Sequence, residues 1–384
     1  MNNRLKFWGL FFILILPILS AFAYVELQTK QTLKESLNLF EKPIITPSPT
    51  PLPLLKYAIP QLKDLQSEIK QPIQIKKIIS RDQENRLYTL LFTYQSQGKT
   101  ISGALNVQID QNNPGAKKPV ILMLRGYAPL EIYYSGMGTK NAATALAQQG
   151  YLTLAPDFLN YGESDPEPSD TWEARFIKPL NVIDLLFSLE TFPELDLSSL
   201  PEAPVKKIAI EPTRIGLWAH SNGGQIAITT LEALGKNLPT TLWAPVLAPF
   251  PYSILYFSDE YADEGKETRK YVALFEENYD VFDFSLTQHL NRLQGPIKIH
   301  HGGRDDSALI SWTEEFLAKV DLENERRKNL QKDAKSASPS AALEDNLNEI
   351  QIDFYRYLSA DHNLQPNWQQ AMNRDLEFFE MHLK

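Results

Sequence analysis

From Pro72 onward apolar positions alternate or cluster in "PIQIKKIIS", "RLYTLLFTYQ" and, after a turn at Gly98, "TISGALNVQID". β-Branched and aromatic residues dominate these runs, so three successive strands are expected. From Pro119 the pattern changes. Short runs, continuously apolar in "VILML" and read as strands also in "YLTLAP", "RIGLWA", "TTLWAPVLA", "IKIHH" and "IQIDFYRYL", alternate with segments of helical period. Those segments are "NAATALAQQG", closed by Gly150, "TWEARFIKPLNVIDLLFSLETF", "GGQIAITTLEALG", "ALISWTEEFLAKV" and the amphipathic "NWQQAMNRDLEFFEMHL". Strands without a polar face must be covered on both sides, so the expectation is an α/β fold: a doubly wound, mostly parallel sheet with helices on both faces. Such sheets carry their chemistry at the carboxyl ends of the strands.

Other stretches break this rhythm. Residues 249–295 are aromatic and acidic and are expected to form a small cap or lid over the sheet. Residues 322–348 mix charges with Ser, Ala and Pro, which reads as a solvated insert, partly helical or disordered, with an exposed charged face. Between Lys42 and Pro60 prolines punctuate "KPIITPSPTPLPLLKYAIP". Fixed φ angles make that segment an extended spacer with no helix through it. The linker is therefore placed at 26–61 and the folded body at 62–384. Ahead of it, Arg4 and Lys6 precede an uncharged run, Trp8 to Val25, near the length that crosses a bilayer. The run also ends in Ala21-Phe22-Ala23, a small-x-small pattern a signal peptidase could cut. Residues 1–25 thus read as a signal peptide or a membrane anchor, and either places the body outside the cytoplasm.

Composition narrows the chemistry. A net charge of −9 excludes nucleic acid as a partner, since phosphate binding needs a basic face. The absence of cysteine removes disulfides, thiolate zinc sites and a cysteine nucleophile together. The Gly98-Lys99-Thr100 triplet resembles a P-loop ending, but position 93, where that motif needs glycine, is threonine.

The stretch "RIGLWAHSNGGQIAI" runs from a strand through a cramped corner into a helix. A serine attacks a carbonyl only if a base takes its proton, and it must be exposed beside an N–H that receives the oxyanion. A strand–turn–helix corner holds Ser221 out and aims the Asn222 N–H into the same space. Small neighbours, Ala219, Gly223 and Gly224, permit the turn, although Ala219 departs from the usual first glycine. Ser221 would also serve as the N-cap of an ordinary helix. In hydrolases of this architecture the acid and then the histidine follow the serine. "IKIHHGGRDD" offers Asp305, with Asp306 as the alternative, just beyond a strand. Of the six histidines only His362 and His382 come later, and His362, in "YLSADHNLQ", lies in a loop. His362 is expected as general base and then general acid, with Asp305 orienting it. A metal site at His300, His301, Asp305 and Asp306 is disfavoured, because adjacent strand histidines point to opposite faces. One of the two is expected to be buried and the other to position the acid loop. The loop "RGYAP" after "VILML" offers a second oxyanion donor, Tyr127, through its N–H or its hydroxyl.

"HSNGG", "HHGGRDD", "SADHNL" and "LAQQGYLTLAPDFLNYGESD" resemble the catalytic domain of the prolyl oligopeptidase group of α/β-hydrolases, and much of the pattern is shared with dienelactone hydrolase-like esterases. The resemblance runs from about Tyr88 to the C-terminus. It implies Ser221 as nucleophile, Asp305 as acid, His362 as base, Asn222 and Tyr127 as oxyanion donors, and a structural role for Asp157. It implies no cofactor and a small ester or peptide substrate. The β-propeller that filters peptides in such peptidases finds no room before the catalytic segment, which leaves the substrate class open. The expected function is a serine hydrolase, either peptidase or carboxylesterase; outside enzymes, the alternative is a hydrolase-fold binding protein with an idle triad.

Overall fold

The first strands form a meander. β1 (Gln74–Asp82) pairs antiparallel with β2 (Leu87–Ser96), and β2 with β3 (Lys99–Gln108). Gln97 and Gly98, both with positive φ, make the two-residue turn between β2 and β3, whose handedness suits the twist of the flanking strands. The computed structural model describes residues 52–66, 71–110, 112–113, 115–336 and 347–384. Residues 1–25, expected as a signal peptide or membrane anchor, and most of the expected linker lie outside the described residues, as does 337–346 of the charged insert. Among the described residues no helix is long and apolar enough to cross a membrane.

Beyond the meander come β4 (Lys118–Leu124), β5 (Leu152–Pro156), the short β6 (Glu194–Asp196), β7 (Lys207–His220), β8 (Thr240–Trp243), β9 (Ile297–Gly302) and β10 (Ile352–Tyr357). The sheet order is β1-β2-β3-β5-β4-β7-β8-β9-β10, with β6 paired to the start of β7. β3 meets β5 antiparallel, and every pair from β5 across to β10 is parallel. The helices are α1 (Lys140–Gln148), α2 (Thr171–Thr191), α3 (Asn222–Leu234), α4 (Tyr252–Ser258), α5 (Lys266–Glu276), α6 (Ile310–Ser336) and α7 (Trp368–Leu383). Both faces of the sheet are covered, as expected. Leu122 and Leu217 pack into one core with Ile183 of α2, Leu231 of α3 and Phe316 of α6. Their strand neighbours Ile121, Met123 and Trp218 pack into a second core with Leu146 of α1 and Phe379 of α7. Alternate side chains of one strand thus feed opposite layers. The chain turns to β5 on one side of β4 and to β7 on the other. The strand order therefore switches at β4, and a crevice opens beyond the carboxyl ends of β4 and β7.

Two expectations are corrected. Residues 52–61 are not spacer. Two 3₁₀ turns, Leu55–Tyr57 and Ile59–Leu65, seat Leu54, Tyr57, Ile59 and Leu62 in the core, so the folded body begins near Leu52 and not at 62. Proline excludes a helix interior, but a short 3₁₀ turn accepts Pro60 in its first turn. The charged insert is also less exposed than its composition suggests. Its first part continues α6, and Arg327, 1% exposed, donates from Nη2 to the carbonyls of Leu290 and Leu293 and from Nη1 to that of Asn348. One guanidinium thus ties α6 to two separate loops. In residues 249–295, Phe250, Phe275 and Phe284 pack on Trp172 and Phe176, with the Phe176 and Phe284 rings 4.6 Å apart.

Candidate active site

β7 ends at His220 and α3 begins at Asn222, leaving Ser221 alone at the corner with φ 56° and ψ −124°. A non-glycine residue holds such a conformation only where its surroundings enforce it. Here the Ser221 N–H donates to the Trp243 carbonyl at 3.0 Å, and the Ser221 carbonyl accepts from Gly224 N–H at 2.9 Å and Val246 N–H at 3.0 Å. A Cβ on Gly223 would strike the Leu124 carbonyl, and one on Gly224 would strike the Pro245 ring. Those contacts explain the small residues of the motif. Ser221 stands where an N-cap would, yet its side chain makes no cap hydrogen bond. The Asn222 N–H, in the first turn of α3, has no intrahelical partner and points positive potential at the corner.

Asp305 lies in the loop after β9. Its Oδ1 accepts from the N–H groups of Ser307 and Ala308 at 3.0 and 2.9 Å. His362, in the loop between β10 and α7, brings Nδ1 to 3.0 Å from Oδ1 and 2.9 Å from Oδ2 of that carboxylate. Burial alone would raise the Asp305 pKa. The hydrogen bonds from His301, His362 and Ala308 outweigh it and hold the carboxyl well below the usual range, so it is ionised at neutral pH. Asp306 is exposed, and its backbone carbonyl accepts a hydrogen bond from Tyr256. Of the two candidate acids, Asp305 is the one that meets His362. His382 sits exposed on α7.

The adjacent β9 histidines do point to opposite faces, and both are buried. His300 bonds Asp375 and Tyr357, whereas His301 lies 3.3 Å from Asp305 Oδ2 and bonds the Ala308 carbonyl and Thr313. His301 is thus the one that positions the acid loop.

One residue that the sequence reading left without a role joins the two halves. His220 Nε2 lies 3.0 Å from the His362 carbonyl, and the two rings are 4.8 Å apart. Burial, reinforced by the His362 ring, lowers the His220 pKa to about 4, so at pH 7 the ring is neutral and Nε2–H donates to that carbonyl. Ser221 therefore sits next in sequence to the residue that grips the base loop. The Ser221 hydroxyl itself makes no hydrogen bond among the described residues; instead it faces Gly126, where an added Cβ would lie 2.7 Å from Ser221 Cβ and 3.1 Å from Oγ.

Glycine at 126 lets the β4 loop lie directly over the serine. Arg125 fixes that loop, donating from Nη1 to the Gly126 carbonyl and from Nη2 to the Asp157 carbonyl, with Tyr161 4.0 Å from its guanidinium carbon. Asp157 is wholly buried and accepts from Ser102, Tyr133 and Ser135. Those bonds give it the structural place the resemblance implied. The Tyr127 side chain is 81% exposed and turned away into solvent, while its N–H donates to no described residue. Of the two donors considered at Tyr127, the hydroxyl is thus carried into solvent, and the N–H follows Gly126, which lies against Ser221.

Compared with family models and with curated proteins, the sequence matches none. Solved structures do match. Acetyl xylan esterase 1 from Thermoanaerobacterium sp. JW/SL YS485 aligns with a TM-score of 0.57 at 12% identity, covering 86% of this chain and 94% of that one. An acetyl xylan esterase from Paenibacillus sp. R4 aligns with a TM-score of 0.54 at 15% identity, covering 87% and 100%. The chain has the α/β-hydrolase fold. In α/β-hydrolase terms the corner serine, the acid loop and the histidine loop all lie beyond the carboxyl ends of their strands, beside the switch point at β4.

Proposed function

We propose that the protein is a serine hydrolase that cleaves a carboxylic ester through an acyl-enzyme on Ser221. The observation that carries the proposal is the Asp305 carboxylate held at 2.9 Å from His362 Nδ1 beside a serine in a strained corner. That bond leaves the proton on Nδ1, so Nε2 is free to act as base. Ser221 Oγ attacks the carbonyl carbon while its proton passes to His362 Nε2. The oxyanion accepts from the N–H groups of Asn222 and Tyr127. Collapse expels the alcohol, which takes the proton from His362, and water then repeats the sequence to release the acid and restore the serine. Serine and histidine are not hydrogen bonded without substrate, and such contacts commonly tighten only when substrate is bound.

Two solved α/β-hydrolases that match the chain are esterases, which favours an ester over a peptide bond. The peptidase reading rests on the resemblance of "HSNGG" and "SADHNL" to the prolyl oligopeptidase group. Turnover of p-nitrophenyl acetate against a peptide p-nitroanilide separates the two. A fluorophosphonate probe is expected to label the protein, and Ser221→Ala to abolish both labelling and turnover. An unlabelled wild-type protein would overturn the proposal in favour of a binding protein with an idle site.

A further inference from the structure

α2 carries Arg175 and Lys178, one turn apart, facing a cavity that they share with Tyr57, Asn222, Gln225 and Phe284. Asn222 follows Ser221 directly, so the cavity begins one residue from the corner serine. Its volume is about 40 Å³, enough for a carboxylate or two or three waters. Neither cation has a carboxylate within ion-pair distance among the described residues. Arg175 Nη2 donates to two neutral oxygens, Gln225 Oε1 at 2.8 Å and Ser253 Oγ at 3.3 Å. Lys178 makes no hydrogen bond to a described residue, and Glu167 reaches it only through its field. Burial, together with the neighbouring Arg175, lowers Lys178 to about 8, and burial lowers Arg175 to about 10.

Two like charges three residues apart on a helix repel, and half-burying them without a counter-ion adds to the cost. The N-terminus of α3 brings further positive potential to the same cavity. An arrangement of this kind is relieved when an anion arrives. We propose that the substrate cleaved at Ser221 carries one compact anionic group, a carboxylate or phosphate, which docks between Arg175 and Lys178. The assignment rests on the hydrolase reading of Ser221.

The test compares kcat/KM for p-nitrophenyl hydrogen glutarate and for neutral p-nitrophenyl butyrate in the full chain. The acidic ester is expected to be preferred at least tenfold. Arg175→Gln and Lys178→Gln are each expected to cut that ratio by roughly tenfold, with Arg175→Lys retaining most of it. Calorimetric titration of the Ser221→Ala protein with glutarate and with inorganic phosphate reads the site without turnover, and the tighter ligand names the anion. Preference for the neutral ester, a ratio unchanged in both glutamine variants, or no heat with either ligand would overturn the anion site. Absence of all ester turnover and of fluorophosphonate labelling would instead overturn the hydrolase reading, and the titration would still report on the cavity.

Discussion

At the scale of residues, the site depends on which atom holds which proton. His220 is half-buried and neutral, and its Nε2–H ties the His362 loop to the strand that leads into Ser221, the proposed nucleophile. His220→Ala removes that tie and is expected to lower kcat/KM on the order of tenfold, about 1.4 kcal/mol of transition-state stabilisation, while fluorophosphonate labelling slows but persists. The pH profile gives a second reading. A histidine whose folded pKa lies near 4 binds fewer protons folded than unfolded, so stability is fully present above about 6.5 and is lost as pH falls through 4. The variant should therefore lose less stability than wild type between those values in urea melts; an identical slope would exclude this role. Ser221, Asp305 and His362 were legible as candidates because the proposed chemistry requires loops at strand ends in a fixed chain order, and the structure does place Asp305 against His362. His220 was not legible as a tie, because its partner lies 142 residues away and no local pattern announces the bond.

At the scale of elements, α3 carries both the site and an anomaly. Glu232 is fully buried, neither carboxyl oxygen has a hydrogen-bond partner among the described residues, and burial raises its pKa well above the ordinary value despite the nearby charge of Arg292. The folded state therefore keeps a proton that the unfolded chain gives up above about pH 4.5. Stability then falls as pH rises from that point, at up to about 1.4 kcal/mol per pH unit. Glu232→Gln cannot ionise and is expected to flatten that decline between pH 5 and 7 in urea melts; a slope equal to wild type would show that Glu232 is charged when folded. The long strands and the helices that alternate with them were legible from their periods, whereas α4 and α5, inside the aromatic stretch 249–295, were not. β6 was not, since the three residues "ELD" form a strand only because the start of β7 lies beside them. The expected strand "TTLWAPVLA" stops at Trp243, where Ala244 takes a positive φ and its N–H bonds the His300 carbonyl. Apolar character alone cannot reveal where a buried strand leaves the sheet.

At the scale of the whole molecule, the 52–66 segment is part of the body. It closes one wall of the Arg175–Lys178 cavity, and the Tyr57 hydroxyl donates to Glu173 at 2.6 Å. A chain beginning at residue 62 loses Leu54, Tyr57 and Ile59 from the core, each worth about 1.5–3 kcal/mol when buried. Its urea midpoint is expected to fall well below that of a chain beginning at 52, and equal midpoints would return the segment to the linker. The proline pattern suggested a spacer because it reports only what the backbone forbids. It carries no information on the groove between α2 and α3 that receives Ile59 and Leu62.

Local physics settled much of this protein from sequence alone. Residues apolar on both strand faces demand a covered parallel sheet, and a serine crowded by glycine and alanine demands a sharp corner. Other features had to wait for the tertiary structure, because each depends on groups brought together from distant parts of the chain. Asp305 rather than Asp306 is the partner of His362 because of how the two loops approach, the Tyr127 side chain is carried into solvent by the path of the β4 loop, and a lysine and an arginine line a cavity together with the N-terminal segment.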